Sequence, residues 1–542
     1  MNPFLARGRE AFDGRSWRVA FESLAKADGA APLDAEDLER WATAAHLVGD
    51  EASEIWERAQ DAWVAAGEPA RAARCAFWLG FGLANRGEAA RGGGWLHRAQ
   101  QLVDDAGPVG AAQGLLIVPQ AMGCLETGDP EGALAMFSEV LELGDRFGDH
   151  DLCALGRLGR GQALVGQGDR AAGLALLDEV IVVVTAEDVS PMVAGLVFCA
   201  AIETCQRTFD LGRAREWTQA LTSWCDAQPD LVPYRGQCLV HRAEVLQLHG
   251  AWSAAADELR RACERLAGVP AVGDAWYRRA EMHRLRGQSS EAEDAYRAAT
   301  RAGREPQPGL ALLRLAQGRT STAAASIRRV VDEARTGVDR AGVLGPYVEI
   351  AIAAGELTEA REAADELSAL AGEMDAGYLR AVAAQATGAL LLAEGDARGA
   401  LAHLRRAWRM WREIDAPYEA ARVRVGVARA CLALGDADTA AMELDAAGSV
   451  FAELGAAPDL AALDRLSRPK AAGGFGSLTV REVEVLTLAA RGATNRGIGD
   501  ELFISDKTVA RHLANIFAKL GTPSRAAATA WAYDNGLLAP PT

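Results

Sequence analysis

The sequence predicts an all-α protein, a long stack of helix pairs followed by a small four-helix module. Three observations predict it. The chain is 542 residues long and half hydrophobic yet only 6% aromatic, rich in alanine, leucine, arginine and glutamate, which is the composition of helix. A glycine turn recurs at a near-constant interval along most of the chain. A short basic helical stretch closes a sequence whose formal charge is −17.

That length exceeds one ordinary core, so separate domains or a repeat array are expected. A pI near 5.1 argues against a chain that coats nucleic acid along its whole length, but leaves room for one small binding module. The nine cysteines are scattered without a C-x-x-C pair, the usage of reduced, core-filling thiols. The opening "MNPFLARGREAFDGRSW" lacks the apolar stretch of a signal peptide, and no apolar run approaches bilayer length. A soluble cytoplasmic protein with no membrane partner is expected.

The repeat reads glycine, a polar residue, two or three free positions, then a small residue. It appears at Gly87, Gly128, Gly168, Gly250, Gly287, Gly318, Gly355, Gly395 and Gly435, with steps of 41 and 40 from Gly87 and of 40 and 40 from Gly355. A degenerate copy, "TFDLGRA" at 208–214, fills the gap before Gly250. Around Gly395, the small residues Gly388, Ala400 and Ala407 flank Leu404; Ala428, Ala440, Leu444 and Ala447 match them around Gly435. Around Gly287 the set is Ala280, Ala292, Tyr296 and Ala299. Small residues at these places let antiparallel helices approach, and the large one fills the gap between pairs. The glycine ends the first helix in a left-handed conformation. The β-branched run "LLDEVIVVVTAEDV" at 176–189 reads as a buried repeat helix rather than a strand.

These residues resemble tetratricopeptide repeats over roughly residues 50–460, about ten helix pairs. The resemblance implies a superhelix with a groove for peptides, partner proteins or small effectors. Residues 1–49 read as a cap or one further diverged repeat, which places the repeat domain at 1–466. Six of the thirteen tryptophans precede residue 100: Trp17, Trp41, Trp56, Trp63, Trp78 and Trp95. Core packing and groove lining explain them better than an aromatic ligand pocket.

"SRPKAAGGFG", residues 467–476, breaks the period and reads as a flexible linker. The module at 477–542 follows. Thr479 with Glu482 three later forms a capping box before an apolar run, with Val483, Leu486 and Ala490 on one face and Gly492 at its end. Thr494 caps a short second helix carrying Ile498 and Leu502 inward. Ser505 caps a third, whose buried stripe is Val509, Leu513, Ile516 and Leu520. Its opposite side carries Lys507, Ala510, Arg511, Ala514 and Ala518. A short helix, a tight turn and a helix with a narrow small-and-basic outer face make a helix-turn-helix. Short side chains permit close approach to a major groove, and the cations meet phosphates and base edges.

The segments "LTVREVEVL", "GATNRGI", "LFISDKTVARHLANIFAKLG" and "SRAAA", over about 477–535, resemble the LuxR-type DNA-binding domain of bacterial transcription regulators. The resemblance implies that Ala510, Arg511 and Ala514 face bases. It places Asn495, Arg496, Lys507, Thr508, His512, Asn515 and Lys519 near phosphates or in positioning roles. It implies pairing of two subunits through the fourth helix, by Ala527, Ala530 and Trp531, hence a homodimer on promoter DNA, with RNA polymerase as a further partner. Two departures stand out: Ala510 occupies a position that commonly holds lysine, and Gly497 and Gly499 replace the usual Glu and Ala of the second helix. Each glycine costs a helix about 1 kcal/mol relative to alanine.

Long LuxR-type regulators combine an ATP-binding domain with helical repeats and this same terminal module. Here the four lysines, Lys26, Lys470, Lys507 and Lys519, include none in a G-x-x-x-x-G-K-[ST] loop. No nucleophile elbow, dinucleotide fingerprint or H-E-x-x-H appears. A non-enzymatic regulator without cofactor or metal is expected, its repeat domain holding an unidentified protein or small-molecule effector. The alternative is a repeat scaffold that joins proteins and does not touch DNA.

Overall fold

The computed structural model describes residues 2–106, 110–186, 189–228, 230–232, 234–467, 478–502, 504–535 and 537. Among these residues there are 29 helices and no strand. The chain divides into two compact units, residues 1–461 and 462–542. From residue 468 onward the expected linker lies outside the described residues.

The first unit opens with α1 (Pro3–Asp13), α2 (Trp17–Ala30), α3 (Ala35–Leu47), α4 (Ser53–Ala65), α5 (Pro69–Asn85), α6 (Ala89–Ala106), α7 (Ala111–Thr127) and α8 (Pro130–Phe147). It continues with α9 (His150–Gly166), α10 (Arg170–Ala186), α11 (Pro191–Arg207), α12 (Leu211–Asp226), α13 (Arg235–Leu248), α14 (Trp252–Arg265), α15 (Val272–Leu285) and α16 (Ser289–Arg301). The rest are α17 (Gly309–Ala316), α18 (Thr320–Glu333), α19 (Gly337–Ala354), α20 (Leu357–Glu373), α21 (Gly377–Ala393), α22 (Ala397–Glu413), α23 (Pro417–Ala433), α24 (Ala437–Leu454) and α25 (Ala457–Ser467). Each helix packs on the next, and from α5 to α23 each odd-numbered helix also touches the following odd-numbered one. The odd helices therefore line the inner, more crowded face of a tetratricopeptide-like solenoid. The run at 176–189 is helical through Ala186, within α10.

The turn grammar works as the residue types require. All nine repeat glycines have positive φ, from 76° at Gly318 to 91° at Gly168 and Gly395. Where aspartate follows, it caps the next helix: Asp129 accepts from the Gly132 N–H at 2.9 Å and Asp396 from the Gly399 N–H at 2.9 Å. In the degenerate copy Phe209 takes the glycine's place, with φ 59°. Ala400, Ala407, Ala440, Ala447, Ala292 and Ala299 are buried, as are Leu404 and Tyr296, while Leu444 is partly buried. A Cβ at Gly388 would lie 2.7 Å from Leu404 Cγ, so this helix pair closes only over glycine. Trp17, Trp56, Trp63 and Trp78 belong to the core, with Trp41 and Trp95 packed against it.

The array also turns back on itself. Contacts join positions 166 to 211 residues apart: Trp17 Nε1 donates to Gln228 Oε1 and the His249 ring meets the Asp415 carbonyl. Val232 N–H donates to the Leu47 carbonyl at 2.8 Å, and Arg170 donates to the Met374 carbonyl. Phe209 stacks on Tyr378 with centroids 5.8 Å apart, and Trp252 meets Tyr418 at 5.1 Å. Turns leading from odd to even helices thus sit on turns leading from even to odd helices further along. Among the described residues, no helix is long and apolar enough to cross a membrane.

Candidate nucleic-acid interface

The second unit holds α26 (Val480–Ala490), α27 (Asn495–Leu502), α28 (Asp506–Leu520) and α29 (Arg525–Asp534). The capping box forms: Thr479 Oγ1 accepts from the Glu482 N–H at 3.2 Å, and Glu482 Oε2 accepts from the Thr479 N–H at 2.7 Å. The Gly497 N–H donates to Thr494 Oγ1 at 3.2 Å, and Ser505 Oγ accepts from the Thr508 N–H at 3.1 Å. The core gathers Val485, Leu486, Ala489, Ile498, Val509, Leu513 and Ile516 with Ala528 and Ala532. On α26 the buried face is rotated from the expected one. Val485 and Ala489 are innermost, and Val483 and Ala490 lie at its margin, because α29 packs against this side.

With Val509, Leu513 and Ile516 buried, α28 turns Lys507, Ala510, Arg511, Ala514, Asn515 and Ala518 to the exterior. The three residues expected to face bases, Ala510, Arg511 and Ala514, thus share one exposed strip. Arg496 is exposed at the start of α27, while Thr508 and His512 are half-buried. The Thr508 hydroxyl meets that of Ser505 at 2.7 Å, within the cap itself.

Two candidates have work inside the unit. Lys519 Nζ lies 2.7 Å from both oxygens of Glu482, whose side chain is 4% exposed. Burial raises the Glu482 pKa, but the Lys519 hydrogen bond and charge and the Thr479 bonds outweigh it and hold the carboxyl below the usual range. Asn495 Oδ1 accepts from Arg525 Nη1 at 2.9 Å, and Arg525 also donates to the Ala493 carbonyl. Arg525 thus ties α29 to the start of α27, and Arg481 ties α26 to its end through the Leu502 carbonyl at 2.6 Å. Neither arginine stood out in the sequence as a clamp, since only the fold shows which carbonyls they reach. Of the residues expected to pair subunits, Ala530 is exposed, Ala527 is half-buried and Trp531 leans on the core.

Residues 476–532 match the family model described as bacterial regulatory proteins, luxR family. The C-terminal module is a LuxR-family domain. Its sequence is 50% identical over 62 residues to the transcriptional regulatory protein LiaR of Bacillus subtilis, 11% of this chain and 29% of that one. A longer similarity, 30% identity over 464 residues, links the chain to the HTH-type transcriptional regulator Rv0890c of Mycobacterium tuberculosis, covering 79% of this chain and 49% of that protein. The chain spans about half the length of that relative, or less than a third of LiaR. Among solved structures, the Cut9 and Hcn1 hetero-tetramer of the APC/C aligns over 84% of this chain and 95% of that one, with 13% identity and a TM-score of 0.39, too distant a likeness to carry an argument. In the LuxR-family domain the helix-turn-helix is α27 and α28, joined by a turn in which the Ile504 N–H donates to the Gly499 carbonyl at 3.0 Å.

Proposed function

We propose that this chain is a sequence-specific, DNA-binding transcription regulator, non-enzymatic and cytoplasmic. Its LuxR-family domain reads the promoter through the major groove, and its repeat unit holds a protein or small-molecule effector. The observation that carries the reading is the exposed strip of Ala510, Arg511 and Ala514 on a helix anchored from its other side by Val509, Leu513 and Ile516. Small side chains beside one arginine suit close approach to base edges, with Arg511 as the sequence-reading group. Lys507 and Arg496 supply phosphate contacts, and α29 supplies the dimer contact through Ala527, Ala530 and Trp531. RNA polymerase is a further partner of the DNA-bound dimer.

Selection of genomic DNA by the full-length protein, in parallel with Arg511→Ala, tests the reading. Specific enrichment by the parent is expected, with roughly 10- to 100-fold weaker binding to the recovered site in the variant, as for loss of a bidentate base contact. Equal, salt-sensitive binding by both proteins would show phosphate attraction alone and favour a repeat scaffold.

A further inference from the structure

The inner face of the repeat unit carries a polar cluster that helix packing does not require. Gln206 on α11 donates to Glu244 on α13, and Arg278 on α15 closes on the same Glu244 at 2.6 Å. Arg304 holds Asp274 at 2.8 Å. α11 and α13 are neighbouring inner helices running in the same direction. The bond between 206 and 244 therefore fixes their register and sets Glu203, one turn earlier, level with His241, one turn before Glu244.

Those two side chains are what the network leaves over. Glu203 is exposed, and no hydrogen bond or ion pair to it occurs among the described residues. His241 is 3% exposed, and neither ring nitrogen has a hydrogen-bond partner. A buried imidazole without partners costs free energy unless something donates to it or accepts from it. Burial raises the Glu203 carboxyl pKa, the charge of Asp274 adding to it, so this carboxylate too lacks a counter-charge. Burial, with Arg278 adding, brings His241 down to about 4, so at neutral pH the ring is uncharged and keeps a lone pair. Water reaches the place: the side chains of Asp274 and Arg278 are 45% and 36% exposed.

An acceptor carboxylate level with an imidazole lone pair calls for a positively charged donor. A metal ion is the poorer fit, because among the described residues no group of three or more His, Cys, Asp or Glu is placed to hold one. We propose that Glu203 and His241 form a binding site for an organic cation, whose ammonium or guanidinium group donates to the Glu203 carboxylate and to a ring nitrogen of His241. The proposal rests on the reading of the repeat unit as the effector-binding part and gives that effector a chemical class.

Calorimetric titration of the full-length protein at fixed ionic strength tests it without DNA. The probes are 1,4-diaminobutane and agmatine, with 1,4-butanediol as the neutral control and magnesium chloride as the metal arm. Saturable heat is expected for at least one amine and none for the diol or magnesium. Glu203→Gln removes the charge at an exposed side chain, so circular dichroism should be unchanged while affinity falls roughly tenfold or more. Asp294→Asn, an exposed carboxylate elsewhere in the unit, should leave affinity unchanged. The proposal is overturned by no saturable heat with either amine, by magnesium binding as well as the amines do, or by equal losses in the two variants. Amine binding without sequence-selective DNA enrichment would keep this site and remove the regulator reading; the reverse result would do the opposite.

Discussion

The repeat glycines look alike in sequence but fall into two groups in the structure. At Gly87, Gly128, Gly168, Gly318, Gly355, Gly395 and Gly435, an added Cβ would meet nothing within 4 Å. At Gly250 it would lie 2.8 Å from Pro417 Cγ, and at Gly287 3.1 Å from Pro458. The first group answers only to its own turn, where φ must be positive. The second answers also to a distant turn seated on it. A period of forty residues encodes the first requirement at every copy, but contacts made across four or five repeats leave no mark in it.

Substitution separates the two groups. Gly395→Ala meets only left-handed strain and should cost about 1–2 kcal/mol. Gly250→Ala adds crowding against a proline ring, and its total should reach about 2–5 kcal/mol. Urea denaturation of the full-length protein, read by tryptophan fluorescence, checks the order. Equal losses in the two variants would mean that the turns at 250 and 417 do not bear on each other.

The same division explains what the sequence disclosed and what it withheld. Helix pairs, turn glycines, small-residue positions and the capping box were legible because each depends on neighbours within about one repeat. The Phe209 turn was legible only as a gap in the pattern. Its left-handed backbone and its stack on Tyr378 both belong to the closure of the array. In the C-terminal unit, the outer strip of α28 followed from helical period alone. The engagement of Lys519 by Glu482, and of Asn495 by Arg525, did not, since the partners lie 37 and 30 residues away on other helices.

That engagement gives the next prediction. Glu482 caps α26 and neutralises Lys519 with a carboxylate that is nearly inaccessible, so Glu482→Gln should destabilise the C-terminal unit by about 1–3 kcal/mol. Hydrogen exchange of the full-length chain should show faster opening across α26 and α28 and no change in the repeat unit. The pH dependence has a fixed sign. A carboxyl with a depressed folded pKa contributes in full above its ordinary value of 4.5, and that contribution is lost as the pH falls through the folded value. Exchange in α26 should therefore accelerate on acidification below about pH 4.5 in the parent, and much less in Glu482→Gln.

The smallest expected effects come from the two glycines of α27, and they have opposite signs. A Cβ at Gly499 would lie 2.7 Å from the Ile504 carbonyl oxygen, so Gly499 is what lets α27 close into the turn before α28. At Gly497 the nearest atom is Thr494 Oγ1 at 3.5 Å, an ordinary contact. Gly497→Ala should stabilise the unit by up to about 1 kcal/mol through helix propensity, with slower exchange in α27. Gly499→Ala gains the same propensity but must push a backbone carbonyl aside, and it should lose about 1 kcal/mol or more on balance. If both variants slow exchange, the turn is looser than the 499–504 contact implies, and the second glycine has no packing role.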